Sequence, residues 1–238
     1  MPKYRKLIDL HVSNGYIVDS TGNTYWTYQS DGVTNKVPSD MSSIFHNTRF
    51  AVNTKGEATY NANCLYTLTN DIVQNTKLGP IIKNYKLEMW YRLSDIHIGN
   101  ILYFGYDPSN PSYRAFNIYA GAFSGDVYSI VLGSSYIGDT EILRDINVGR
   151  AGDGFYRLHG LIVSSDETKF ELRVVYEDDE HNLEQLGIIT QSGNFPLNLN
   201  HLINLGKPAS YYLENGALFR VYSMVLSVPY EENYLKVY

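Results

Sequence analysis

Phe170-Glu171-Leu172-Arg173-Val174-Val175-Tyr176-Glu177 alternates apolar and polar residues with a period of two. A helix returns its apolar residues every three or four positions, whereas a strand with one buried face returns them at every second position. The stretch therefore reads as a half-buried strand, with Phe170, Leu172, Val174 and Tyr176 on one side and Glu171, Arg173, Val175 and Glu177 on the other. The same reading applies to Leu87-Glu88-Met89-Trp90-Tyr91-Arg92-Leu93, to the run from Tyr156 to Val163 and to the run from Leu218 to Val225. Turn chemistry separates the runs: Ser13-Asn14-Gly15, Ser20-Thr21-Gly22-Asn23, Asp107-Pro108-Ser109-Asn110-Pro111, Gly152-Asp153-Gly154 and Glu214-Asn215-Gly216. Helical periodicity is weak everywhere, and the best candidates are short turns at residues 70–74 and 229–232. The pattern predicts a mostly antiparallel all-β chain.

Composition bounds what such a chain can do. At 238 residues, 44% of them hydrophobic and 18% charged, it can bury a sizeable core and does not read as disordered. Twenty-two tyrosines against 9 Phe and 2 Trp are more phenol than a core needs, because each buried hydroxyl requires a hydrogen-bond partner. Many of these rings are expected at surfaces. A net charge of −6 removes the attraction on which phosphate-backbone binding depends, so nucleic acid is not an expected partner. Membrane insertion is not expected either, since no stretch is long and apolar enough. The first residues carry Lys3, Arg5 and Lys6 without an apolar run before Asn14, so they do not read as a secretory signal. Cys64 stands alone, and no Asn-x-Ser/Thr sequon with a permitted middle residue occurs.

Phe219-Arg220-Val221-Tyr222-Ser223-Met224-Val225-Leu226-Ser227 resembles the closing strand of laminin-G-like, concanavalin-like jelly rolls, written V-R-I-Y-N-R-A-L-S. Asp19-Ser20-Thr21-Gly22 is similar to that family's early D-S-S-G turn, and Tyr85-Lys86-Leu87-Glu88-Met89-Trp90-Tyr91-Arg92 to its F-T-I-E-F-W-V-R strand. Gly154-Phe155-Tyr156-Arg157-Leu158 takes the place of its G-x-W-H-H-V, departing at Phe155-Tyr156, and Leu205-Gly206 resembles its late I-G. The resemblance spans roughly residues 19 to 232 and lies in the order of the matches. It implies a two-sheet antiparallel jelly-roll sandwich, one domain over residues 1–238 with a loop-rich N-terminal extension at about 1–48. It also implies a binding module, with the function left to be argued from the site.

The chemistry of catalysis is hard to find in the residues. Retaining glucanases of this architecture place carboxylates on one strand face as E-x-D-x-x-E or E-x-D-x-E, and no such run occurs. Glu177-Asp178-Asp179-Glu180 is contiguous and reads as a solvated hairpin cap. His11, His46, His97, His159, His181 and His201 lack the short spacing of a metal site. Gly121-Ala122-Phe123-Ser124-Gly125 and Gly149-Arg150-Ala151-Gly152-Asp153-Gly154 read as turns, and Cys64 as a quiet half-buried thiol. No cofactor is expected, although loop-bound calcium has candidates in Asp107, Asn110, Asp153 and Asp166.

Aromatic residues carry most of what remains. Trp90 shares strand parity with Glu88 and Arg92, so it either packs under a covering loop, as the resemblance implies, or lines an open sheet face. Tyr25-Trp26-Thr27-Tyr28 and Tyr211-Tyr212 lie beside polar turns, where rigid amphipathic rings stack on sugar faces or form protein contacts. The expected function is non-catalytic recognition of a surface glycan or another protein through Tyr25, Trp26, Tyr28, Tyr211 and Tyr212. The expected setting is a particle surface, as in a phage virion assembled in the cytoplasm. Two alternatives are a polysaccharide lyase or hydrolase using Arg92, His159 and Tyr176 on one sheet face, and a structural homo-oligomer or capsid-interface protein.

Overall fold

The computed structural model describes residues 3–13, 16–21, 25–28, 34–36, 50–53, 64–67, 81–93, 99–106, 115–124, 127–136, 139–150, 158–178, 180–193, 195–198, 202–206 and 218–229. All regular structure in them is strand: β1 (Tyr4–Ser13), β2 (Tyr16–Asp19), β3 (Tyr25–Tyr28), β4 (Thr34–Lys36), β5 (Phe50–Asn53), β6 (Cys64–Thr67), β7 (Ile81–Ile82), β8 (Tyr85–Leu93) and β9 (Gly99–Tyr106) come first. They are followed by β10 (Ala115–Ser124), β11 (Val127–Tyr136), β12 (Asp139–Arg150), β13 (Leu158–Ser165), β14 (Lys169–Glu177), β15 (Leu183–Ser192), β16 (Leu197–Asn198), β17 (Leu202–Gly206) and β18 (Leu218–Pro229). The first sheet runs β15-β14-β13-β8-β18-β1-β2, with β5 also paired to β18; the second runs β12-β11-β10-β9-β17-β6-β3-β4; β16 and β7 form a two-stranded third. The fold is an all-β antiparallel jelly-roll sandwich, as expected.

Alternation assigns the faces. On β8, Tyr85, Leu87, Met89 and Tyr91 are buried while Lys86, Glu88 and Arg92 are exposed. Leu161 and Val163 of β13 and Phe170, Leu172 and Val174 of β14 join them. From the second sheet Leu102, Ile118, Ile130, Leu132 and Ile146 close the same core, which lies between the sheets as apolar inner faces require. Tyr85 is one of the tyrosines in the core, and its buried hydroxyl is satisfied by donating to Phe195 O at 2.9 Å.

Residues 1–48, read from sequence as a loop-rich extension, supply strands to both sheets. β1 lies between β18 and β2 and buries Leu7, Ile8 and Leu10. Its register against β18 slips between Lys6 and Ile8, so Leu7 and Ile8 are both buried and the period of two is broken. A second bulge lies in β18, where Val221 pairs with Tyr91 but Ser223 pairs with Trp90. The parity of Phe219 and Val221 therefore continues as the buried Met224, Leu226 and Val228. Gly121, Ala122 and Ser124, read as a turn, instead finish β10 and pair with Ser129, Tyr128 and Val127; Gly149 and Arg150 likewise finish β12. Residues 70–74 and 230–232 lie outside the described residues.

One edge of the sandwich closes where β15 meets β12. A Cβ on Gly187 would stand 2.6 Å from Ile146 Cγ2, so no side chain fits without moving a buried residue. Gly187→Ala is expected to destabilise the fold by about 1–3 kcal/mol, the usual range for overpacking. Thermal unfolding of this variant, with unchanged stability as the contrary result, checks the contact.

Candidate functional site

Across the second sheet the pairings line up sequence-distant positions. Trp26 pairs with Tyr66, Tyr66 with Asn204, Asn204 with Tyr103, Tyr103 with Asn117, and Asn117 with Gly133. The adjacent row is Leu65, Leu205, Leu102, Ile118 and Leu132, of which Leu102, Ile118 and Leu132 are core residues. Because successive strand positions face opposite sides, the row from Trp26 to Asn117 belongs to the outer face. It runs across five neighbouring strands, about 19 Å at the usual strand spacing. The outer face is not a plain solvated surface: Val131 has the opposite parity to the core residues Ile130 and Leu132, yet it is fully buried.

The aromatic residues named from sequence divide on this register. Trp26 and Tyr28 hold outer-face positions of β3, Trp26 in the row itself and Tyr28 opposite Cys64. Tyr25 pairs with Thr67, whose row continues through Ile203 and Phe104 with the parity of the core residue Leu102. These three residues form a strand, one in from the edge of the sheet, and not a loop. Tyr211 and Tyr212 lie outside the described residues. Sequence reasoning missed Tyr66, Tyr103, Asn117 and Asn204, because only long-range pairing assembles them with Trp26.

Trp90 sits on the outer face of the first sheet, half-buried, where it pairs with Gly160 of β13. A Cβ on Gly160 would stand 3.0 Å from Trp90 Cη2, so the indole packs directly onto that glycine backbone. Its Nε1 donates to Glu88 Oε1 at 2.6 Å. The described packing of the indole is thus on the outer sheet face, against the sheet's own glycine, and not the packing under a covering loop that the resemblance implies.

The proposed acid/base set does not assemble. His159 and Tyr176 are a cross-strand pair on the core side, with His159 buried and its ring stacked on Tyr91 at 5.7 Å. Arg92 is exposed on the opposite face, beside Trp90 in parity. The three residues therefore do not share the single sheet face on which they were grouped.

Of the calcium candidates, Asp107, Asn110 and Asp153 lie outside the described residues. Asp166 is engaged in a turn, its Oδ1 accepting from Thr168 Oγ1 at 2.7 Å and from the backbone N–H groups of Thr168 and Lys169 at 2.8 Å. These bonds, led by the Thr168 hydroxyl, hold its carboxyl below the usual carboxylate range. The acidic run caps the β14–β15 hairpin as expected: Asp178 Oδ1 accepts from Glu180 N at 2.9 Å and Asn182 N at 2.7 Å. His181 adopts φ 64° there, and its hydrogen bond to Glu177 raises its pKa. Among the described residues no group of three or more His, Cys, Asp or Glu is placed to hold a metal ion. His46, His97 and His201 lie outside them.

No protein-family model matches the sequence, and no curated protein sequence matches it. Solved structures do match in shape. An alginate lyase from Klebsiella pneumoniae aligns with TM-score 0.50 and 8% identity over 87% of this chain and 95% of its own. SCLam, a non-specific endo-β-1,3(4)-glucanase from family GH16, aligns with TM-score 0.50 and 9% identity over 97% of this chain and 95% of its own. The CBM2 module of the evolved Dit of Lactobacillus casei BL23 phage J-1 aligns at TM-score 0.49 and 10% identity over 97% and 98%. At such identities the likeness to the lyase and the glucanase is one of fold, and it gives this chain the concanavalin-like sandwich that its closing strand resembles.

Proposed function

We propose that the protein is a non-catalytic glycan-binding sandwich whose ligand lies across the outer face of the second sheet. The carrying observation is the register row Trp26, Tyr66, Asn204, Tyr103 and Asn117. Aromatic faces stack on the C–H faces of sugars, and amides both donate to and accept from hydroxyls, so three aromatics and two amides along one line suit an extended saccharide. The fold neighbours are in keeping with this ligand class, one being named for alginate and the other for β-1,3(4)-glucan. The non-catalytic reading is supported by the missing strand-paired carboxylates and by the separation of Arg92 from His159 and Tyr176.

A glycan array followed by titration of the best saccharide tests the site. Trp26→Ala and Tyr103→Ala are each expected to weaken binding about tenfold or more, as central aromatic contacts do. Reducing-end and unsaturated-product assays are expected to stay at baseline. Binding unchanged in both variants would move the site elsewhere, and turnover of the bound glycan would make the protein an enzyme. The setting we propose is the surface of an assembled particle, a phage virion, on the lone Cys64 and the missing sequon. Absence of the protein from purified particles by antibody labelling would refute that setting.

A further inference from the structure

The outer face of the first sheet carries three departures from ordinary sheet construction in one patch. Gly160 stands in β13, between β14 and β8, where glycine weakens a strand. Beside it, β18 bulges so that Tyr222 and Ser223 together oppose Trp90. Two residue pairs further along the same ladder, Arg220 of β18 pairs with Arg92 of β8. Like charges directly opposite each other on one face are unfavourable, and this chain carries a net charge of −6, so the cations are not there for want of acids.

The acids described on this face are engaged elsewhere. Glu88, the outer-face acid of β8, accepts from Trp90 Nε1. Glu171 holds Lys169 and Arg173, and Asp9 holds Lys6. Arg92 is exposed and makes no ion pair among the described residues. The indole next to it is fixed twice, by its hydrogen bond to Glu88 and by its seat on Gly160, where Val175 Cγ2 would stand 2.8 Å from any added Cβ and walls the other side. A rigid aromatic surface two positions along β8 from Arg92, with a second arginine opposite that one, unites the groups that hold a ring and a carboxylate.

We propose that this patch is a second binding site, distinct from the row on the other sheet, and that its ligand is an acidic saccharide carrying a ring carboxylate. Opposed residues of an antiparallel pair stand about 5 Å apart, a separation from which two guanidinium groups can share one carboxylate. Positions i and i+2 of a strand are about 7 Å apart, so a ring stacked on Trp90 presents its carboxylate towards Arg92 and Arg220. A free anion would engage the arginines without the indole. A neutral sugar would use the indole without the arginines.

The test uses the full chain and three probes: a tetragalacturonate, a neutral glucan tetrasaccharide and inorganic sulfate, each titrated by calorimetry and by tryptophan fluorescence. Tetragalacturonate is expected to bind, and Arg92→Ala, Arg220→Ala and Trp90→Ala are each expected to weaken it tenfold or more. Arg92→Lys keeps the charge but loses the planar fork, and is expected to restore little. Gly160→Ala leaves both arginines in place and displaces the indole, so it should weaken tetragalacturonate as Trp90→Ala does. Thermal unfolding of each variant accompanies the titrations, with Arg92→Ala, an exposed substitution, as the one expected to unfold like the parent. Tetragalacturonate affinity unchanged in Arg92→Ala and Arg220→Ala would overturn the proposal. So would binding that sulfate fully displaces and that Trp90→Ala leaves intact, which is a bare anion site. Trp26→Ala should leave tetragalacturonate affinity at this patch unaltered, so loss of the row's glycan binding and loss of this site are separate results.

Discussion

Replacing Phe170 by alanine is expected to lower stability by about 3–5 kcal/mol, the range measured for emptying a buried aromatic site. Phe170 is fully buried and its ring centroid lies 4.7 Å from that of Phe195, tilted by 53°. On the inner face of β14 it precedes Leu172 and Val174, which are also fully buried, so no flexible neighbour can fill the void. In a domain of this size the loss corresponds to a drop in melting temperature of roughly 6–20 °C. The comparison is Ile188→Ala on the adjacent strand β15, where Ile188 is 44% exposed and pairs with Arg173 on the outer face. That substitution is expected to stay within about 1 kcal/mol of the parent. Thermal or urea unfolding of the two variants measures the difference directly. If they unfold alike, the assignment of inner and outer faces along β14 is wrong.

That assignment was legible in the sequence, because β14 keeps its period of two through Phe170, Leu172 and Val174, and β8 keeps it from Tyr85 to Arg92. The reading fails where the backbone gains a residue. In β1 the slip at Leu7 places two consecutive apolar residues in the core, and a ten-residue strand was read as extension. In β18 the extra residue at Tyr222 reverses the parity, so alternation from Phe219 onwards would have put Val225 in the core in place of Met224 and Leu226. Neither bulge carries a glycine that would mark it in the sequence, so only the register reveals the extra residue.

The candidate sites separate along the same line. Trp90, Glu88 and Arg92 share a face of one strand, and their parity could be read from seven consecutive letters; that Gly160 lies beneath the indole could not, because the pairing joins β8 to β13. The row on the second sheet is the extreme case. Trp26, Tyr66, Tyr103, Asn117 and Asn204 come from five strands, and chain order gives no hint that β17 inserts between β6 and β9. Trp26 alone was singled out, for being aromatic near a turn, and its neighbours follow only from register.

Asp9 sets a pH dependence on the acid side. It sits on the outer face of β1 opposite Val225, yet it is only 6% exposed. Its Oδ2 accepts from Lys6 Nζ at 2.8 Å and from the Ser20 hydroxyl, its Oδ1 lies 2.8 Å from His11 Nε2, and its backbone O accepts from Ser20 N at 3.3 Å. The carboxylate thereby ties β1 to the turn that follows β2. Burial alone would push its pKa up; the bonds from Lys6, Ser20 and His11, with the charge of Lys6, outweigh burial and bring it from 3.8 down to about 2. A folded pKa below the unfolded one means that the stabilisation is complete above pH 3.8 and is lost as pH falls through about 2. The depression corresponds to about 2 kcal/mol. Asp9→Asn keeps the shape and removes the charge, so the parent should exceed it by about 2 kcal/mol at pH 7, as measured by urea unfolding. The gap should hold down to about pH 5 and shrink steadily below about pH 4, as linkage requires. A gap as wide at low pH as at neutrality would show that Asp9 stabilises the turn by shape alone, and no gap at pH 7 would remove it from the stability of the fold.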